Sequence, residues 1–149
     1  MNVELRLRLP PGVAAVAAAR GALAGVLDYL PAGVGEDLRL LVSELVTNSI
    51  LHAGLEPADL VTLTVTLQYG AVTVEVHDPG CGFVPPKGLP EPDVLSGRGL
   101  YLVSRLARRW GTVRNGGMRV WFELDASGTP RAEDPEATRA ERMRAPSGS

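Results

Sequence analysis

At 149 residues, the chain is in the range where one domain is the default and a substantial core forms without disulfide or metal staples. Its 15 basic and 17 acidic side chains leave a formal charge of −2, which excludes the broad electropositive field that binding along a nucleic-acid backbone requires. The one cysteine, Cys81, allows no internal disulfide, and no stretch is long and apolar enough to span a bilayer, so a soluble, cytoplasmic protein without direct nucleic-acid or membrane contact is expected.

In chain order, Val3, Leu5, Leu7 and Leu9 alternate with Glu4, Arg6 and Arg8, which predicts a strand with one buried and one wet face, stopped by Pro10 and Pro11. The alanine- and leucine-rich run from Val13 to Leu30 predicts one amphipathic helix, weakened at Gly21 and Gly25 and ended by Pro31. After a turn over 31–35, a second helix is expected from Glu36 to about Ala53, with Gly54 as its C-cap. Val61 to Leu67 and Val72 to Val76 alternate apolar with polar residues around Tyr69-Gly70, the pattern of two hairpin-connected antiparallel strands.

The proline- and glycine-rich stretch from Pro79 to Gly99 reads as a long loop, and loops of that length are often functional. A short helix over Leu100 to Arg109 follows, then a strand over Trp110 to Arg114, an Asn115-Gly116-Gly117 turn and a strand through Met118 to Leu124. From Ser127 on, small, proline-containing and charged residues predict a flexible tail or a frayed helix, so the domain is expected over 1–126 and the tail over 127–149. Helices interleaved with mostly hairpin-linked strands favour a two-layer α/β sandwich, a mostly antiparallel mixed sheet covered by helices on one side.

On the second helix Glu44, Asn48 and His52 recur every fourth residue and form one line, with Leu41 and Leu45 to one side and Leu40 and Leu51 to the other. A carboxylate among apolar neighbours is costly unless a cation, water or hydroxyl partners it. Glu44 can take a proton from a hydroxyl or water, and Asn48 offers a neutral carbonyl oxygen to Mg²⁺, whose other ligands are commonly waters and phosphate oxygens. These roles suit phosphoryl transfer; a solvent-facing Glu and Asn would give the same pattern. For His52, capping the helix end is favoured over catalysis, and His52, His77 and Cys81 do not form a zinc-ligand pattern.

The strand over Val74 to His77 runs into Asp78-Pro79-Gly80-Cys81-Gly82. A carboxylate at a strand end can face a fixed polar edge such as an adenine amino group, while Gly80 and Gly82 let backbone come close. An ordinary Asp-Pro-Gly turn is the other reading, and Cys81 has no neighbour that would make it a nucleophile. Ser96-Gly97-Arg98-Gly99-Leu100 feeds a helix, where glycine amides and the helix start cradle phosphate and Arg98 adds charge or faces solvent. Neither segment is a P-loop or a dinucleotide fingerprint. Their force lies in combination, in an order able to surround a nucleotide.

That combination resembles the ATPase domain shared by DNA gyrase, heat-shock chaperones of that class and bacterial histidine kinases. Within it the chain looks most like the anti-sigma-factor serine/threonine kinases. The likeness is carried by Glu44 to Gly54 as the first box, Asp78 to Gly82 as the second and Gly97 to Val103 as the third, and it extends through Trp110-Gly111 and the closing strand over Gly117 to Leu124. The resemblance implies a histidine-kinase-like ATPase fold, ATP as ligand and ADP as product. It makes Glu44 the general base, Asn48 a holder of Mg²⁺ and Asp78 the adenine contact. Gly80, Gly82, Gly97, Arg98, Gly99 and Leu100 would shape the nucleotide pocket and lid.

It further implies a small anti-anti-sigma protein as phosphate acceptor, a sigma factor as alternative partner, a partner-contacting arginine at Arg20, and self-association into a homodimer. The chain departs from the wider group in lacking a dimerisation and phosphoacceptor helix, so a complete histidine kinase is not expected. It also departs from the family in a proline-rich segment after Gly82 without a basic-threonine lid pattern. Two other readings stay open: a nucleotide-controlled binding protein with little or no kinase activity, and a structural α/β module whose glycine segments are plain turns.

Overall fold

The computed structural model describes residues 2–52, 54–80 and 98–127, apart from the side chains of His52 and Arg98. The elements are β1 (Asn2–Leu9), α1 (Ala14–Ala22), α2 (Ala24–Leu27), α3 (Ala32–His52), β2 (Val61–Gln68), β3 (Ala71–Asp78), α4 (Arg98–Leu106), β4 (Arg109–Arg114) and β5 (Met118–Asp125). The five strands form one sheet in the order β1-β2-β3-β5-β4. All four pairings are antiparallel, so among the described strands the sheet is wholly antiparallel where the sequence allowed a mixed one. The two-layer, helix-covered sandwich is as the sequence predicts.

Alternation fixes which face is which. Val61, Leu63, Val65 and Leu67 of β2, Val72, Val74 and Val76 of β3, and Met118, Val120, Phe122 and Leu124 of β5 are buried on the helix side. The intervening threonines, Glu75, His77 and Arg119 take the other face, because successive strand side chains point to opposite sides. The β2–β3 turn closes through Tyr69 (φ 52°) and Gly70 (φ 73°), two consecutive positive-φ residues whose twist matches that of the flanking strands.

Three helices differ from the sequence reading; α4, expected over Leu100 to Arg109, runs over Arg98–Leu106, and Arg109 belongs to β4. The run expected as one helix from Val13 to Leu30 divides at Leu23, whose N–H is shared between the carbonyls of Ala19 (3.2 Å) and Arg20 (3.3 Å). Low helix propensity at Gly21 and Gly25 permits the break, and complete burial of Leu23 fixes where it falls. The helix expected to start at Glu36 starts at Ala32 instead, with the Gly35 N–H already bonded to the Pro31 carbonyl at 3.0 Å. Proline just ahead of a helix loses nothing there, and the absence of a side chain at Gly35 admits Leu27 of α2, which a β-carbon would approach to 3.1 Å.

At its far end α3 is followed by Gly54 at φ 65°, the left-handed residue expected of a C-cap. α3 lies across β2, β3 and β5, flanked by α1 and α4. Leu38, Leu41, Val42, Leu45 and Val46 form its buried stripe, each at most 2% exposed, and each such burial contributes about 1.5–3 kcal/mol. That stripe sets the rotation of α3. Leu40 and Leu51 are 38% and 67% exposed, so the line of Glu44 and Asn48 runs along the border between core and solvent, not between two buried flanks, because helices cover only one layer.

The far end of α4 is tied to β5. Glu123, 8% exposed, accepts from Arg109 Nη2 at 2.7 Å and pairs with Arg108, whose N–H also reaches the Glu123 carbonyl at 2.8 Å. The Arg109 and Arg108 guanidinium groups hold the Glu123 carboxyl below its ordinary range despite its burial. No described helix is long and apolar enough to cross a membrane. The expected long loop, from residue 81 onward, and the expected tail, from residue 128 onward, lie outside the described residues.

Candidate functional site

The border of α3 meets two other segments. The first is the start of α4. A β-carbon built on Gly99 would stand 2.6 Å from Asn48 Nδ2 and 3.4 Å from Glu44 Cβ, so the backbone of α4's first turn rests directly on the Glu44–Asn48 line, and only glycine lets it come so near. Asn48 is 5% exposed and its Nδ2 has no hydrogen-bond partner among the described residues. Leaving a buried amide unpaired costs about 1–3 kcal/mol, so an amide in this position calls for a partner beyond the described residues, a place a bound ligand can fill. Rotating the carboxamide exchanges Nδ2 for Oδ1 at the same spot, which lets it meet a phosphate oxygen or a hydrated cation.

The second segment is the end of β3. Asp78 is 4% exposed. Its Oδ2 accepts from the Ser49 hydroxyl at 3.0 Å and its Oδ1 from the Gly80 N–H at 3.2 Å. Burial pushes the Asp78 carboxyl above its ordinary value, against the smaller opposing pull of Ser49, Gly80, His77 and Arg114. The turn between β4 and β5 closes behind it: a β-carbon on Gly117 (φ 136°) would overlap the Asp78 carbonyl oxygen and stand 2.9 Å from Pro79 Cα. In register, Asp78 lies opposite Met118.

A raised carboxyl value means that the folded state holds the carboxyl proton more tightly than the unfolded chain does. The Asp78 contribution to stability is therefore complete below the ordinary value of 3.8 and is lost as pH rises through its higher folded value. Asp78→Asn keeps the shape without the charge, and the Ser49 hydroxyl can reverse to accept from the new amide. Thermal unfolding from below pH 3.8 to neutrality is expected to show the variant gaining on the wild type as pH rises; a constant difference across that span contradicts the assignment.

Beside Glu44, a cavity of about 350 Å³ opens between α1 and α3, lined by Arg20, Glu36, Arg39, Leu40, Ser43 and Glu44. Glu44 thus has Asn48 and Gly99 on one flank and this cavity on the other. Of the residues singled out in the sequence, Glu44, Asn48 and Gly99 meet at one place, and Asp78 with Gly80 is joined to the same helix through Ser49. Leu100, 1% exposed, is part of the core and seats α4. Arg98 begins α4, with its side chain outside the description; Cys81, Gly82 and Gly97 lie outside the described residues, as does the His52 side chain.

Sequence reasoning passed over Ser49 and the part played by Gly117. For Ser49 a signal existed: it continues the buried stripe of Leu38, Leu41, Val42, Leu45 and Val46, and a polar residue at a core position demands a buried partner. For Gly117 no local signal distinguishes a turn glycine from one pressed against a strand end.

Residues 9–124 match the family model of the histidine kinase-like ATPase domain. The chain belongs to the histidine kinase-like ATPase family. No curated protein matches the sequence significantly. Solved structures share the fold of this ATPase domain at low identity. The RsbU and RsbW domains of Rv1364c from Mycobacterium tuberculosis superpose with a TM-score of 0.60 at 19% identity, over 82% of this chain and 32% of that one.

The histidine kinase domain of the Erythrobacter litoralis EL346 blue-light activated histidine kinase gives a TM-score of 0.54 at 24% identity, over 75% of this chain and 61% of that one. A second structure of that kinase gives 0.55 at 22%, over 82% and 47%. This chain therefore spans less than two thirds of the length of each of these neighbours. Family membership makes ATP the implied ligand, and the buried amide of Asn48 beneath Gly99, with a carboxylate one turn away, suits a triphosphate and its counter-ion.

Proposed function

We propose that this ATPase domain binds ATP with Mg²⁺ between α3, the end of β3 and the first turn of α4. We further propose that it transfers the γ-phosphoryl group to a serine or threonine of a small anti-anti-sigma-type protein, so regulating a sigma factor by partner switching. The observation that carries this reading is the double exposure of Glu44, which borders Asn48 and Gly99 on one side and the cavity beside Arg20 and Arg39 on the other. An acceptor side chain entering that cavity meets a carboxylate next to the place where the triphosphate would end.

In this reading Asp78 takes the adenine amino group, and Asn48 would hold Mg²⁺ through its amide oxygen. The ion, when bound, neutralises charge on the phosphates. Glu44 removes the proton as the acceptor oxygen bonds to the γ-phosphorus, and the bond from that phosphorus to the bridging oxygen breaks with its electron pair leaving on ADP. The N–H groups at the start of α4 favour phosphate, and Gly80, Gly82, Gly97, Arg98 and Gly99 supply the surrounding backbone and charge. Leu100 anchors that wall in the core.

The test is purified protein with γ-labelled ATP, Mg²⁺ and candidate anti-anti-sigma proteins: label on an acceptor serine or threonine supports the kinase, whereas saturable ATP binding with transfer to none leaves a nucleotide-controlled binding protein. Gly99→Ala gives a second check. Its added methyl must displace the Asn48 amide, and misplacing a ligating group by about 1 Å can cost about 100-fold. Calorimetry is expected to show a large loss of Mg-ATP affinity with little change in thermal stability; unchanged affinity would remove Asn48 from the site.

A further inference from the structure

Neither ATP binding nor phosphoryl transfer, as proposed, uses the face of the sheet turned away from the helices. On that face Arg6, Thr64, Glu75, Trp121 and Gly111 stand in one row across all five strands. Gly111 gives the tryptophan its seat: a β-carbon there would stand 2.8 Å from the indole Nε1 and 3.1 Å from two ring carbons. The ring thus rests on the edge strand, and the residue is only half-buried. The acidic groups of β3 and β5 on this face are already engaged, Glu75 by Arg119, Glu123 by Arg108 and Arg109, and Asp125 by Ser127. Arg119 meets Glu75 through Nε at 3.0 Å, and a guanidinium carries five N–H donors. Arg6 and Arg8, both exposed, add positive charge from β1.

The chain leaves β5 toward this same face. Leu124 is buried on the helix side, so Asp125 takes the outer one, and its Oδ1 accepts from the Ser127 N–H at 2.9 Å and the Ser127 hydroxyl at 2.6 Å. A side-chain turn of this kind draws the backbone at Ser127 outward. Eight residues further on, Pro135 stands within Glu133-Asp134-Pro135-Glu136, a proline among three carboxylates. That length of chain reaches up to about 26 Å, whereas Trp121 lies only about 13 Å back along β5 from Asp125. We propose that the segment over 128–136 folds back across the outer face, seating Pro135 on the Trp121 indole and its carboxylates against Arg119 and Arg6. Proline on an aromatic surface is a recurring mode of peptide recognition, and the acidic run complements the basic rim.

The experiment is quenching of Trp121 fluorescence by acrylamide, a neutral quencher, in the full chain with Trp110→Phe removing the other indole. Reversing the run with Glu133→Lys, Asp134→Lys and Glu136→Lys together is expected to raise quenching about threefold, the scale of a few exposed ion pairs. Glu141→Lys, outside the run, is expected to leave it unchanged, and protection of Trp121 is expected not to vary with protein concentration. Should Trp110→Phe fail to fold, the Trp121 indole N–H resonance gives the same comparison in the chain with both tryptophans. Equal quenching with and without the three reversals, or an equal effect of Glu141→Lys, overturns the inference. So does protection that grows with concentration, which assigns the face to a second copy of the chain. No nucleotide enters these measurements, so their failure leaves the proposed function untouched.

Discussion

Replacing Glu44 by glutamine is expected to slow phosphoryl transfer to the protein acceptor by about 10²- to 10⁴-fold while Mg-ATP affinity stays close to that of the wild type. Glutamine has the shape of glutamate and preserves the approach of Gly99 to the Glu44 side chain, where a β-carbon would stand 3.4 Å away. It cannot accept the acceptor's proton. Glu44 is half-buried at the border of α3, next to but not within the core stripe, so the exchange should leave the fold intact. Single-turnover transfer with labelled ATP separates the two effects: a variant as fast as the wild type would deprive Glu44 of its role, and one that also loses ATP affinity would make it a binding residue instead.

The largest effect on stability is expected at Gly117. An alanine there must adopt φ 136°, which L residues rarely do, and its methyl must enter space held by the Asp78 carbonyl and by Pro79 Cα. Both obstacles are backbone, so neither yields by a side-chain rotation. Backbone strain and overpacking together are expected to destabilise Gly117→Ala by about 2–4 kcal/mol and to weaken ATP binding by shifting the end of β3.

Gly116 provides the comparison. It has φ 64° and, among the described residues other than its chain neighbours, no atom within 4 Å of a built β-carbon, so Gly116→Ala bears only the left-handed penalty of about 1–2 kcal/mol, with affinity unchanged. Denaturant unfolding of the two variants tests the difference; equal losses would mean that the contact with Asp78 contributes nothing.

The strands were legible because period-2 alternation is a local property. Val61, Leu63 and Val65 declare their face without reference to any other element, and Tyr69-Gly70 marks the turn that joins their strand to the next. The start of α3 was not, because Gly33 and Gly35 read locally as breakers, whereas the approach of Leu27 to Gly35 is a tertiary fact. The Glu44–Asn48 line was visible as a four-residue spacing, but its place at the edge of the core follows from coverage of the sheet on one side only, which leaves Leu40 and Leu51 exposed.

The carboxylate at Asp78 stood out at a strand end. Its partner Ser49 lies 29 residues earlier on another element, and a single sequence carries no register between a helix and a strand end. Gly99 was noticed as part of a phosphate-type loop, yet its nearest observed role is steric, admitting the backbone of α4 to Asn48.

All of the chemistry depends on one nucleotide being shared by the border of α3 and the end of β3. A crystal structure with Mg²⁺ and a non-hydrolysable ATP analogue measures this directly. The account predicts the adenine amino group against Asp78, the ion at Asn48 and the terminal phosphate beside Glu44. A fully occupied nucleotide lying elsewhere on the domain, touching none of the three, would contradict it.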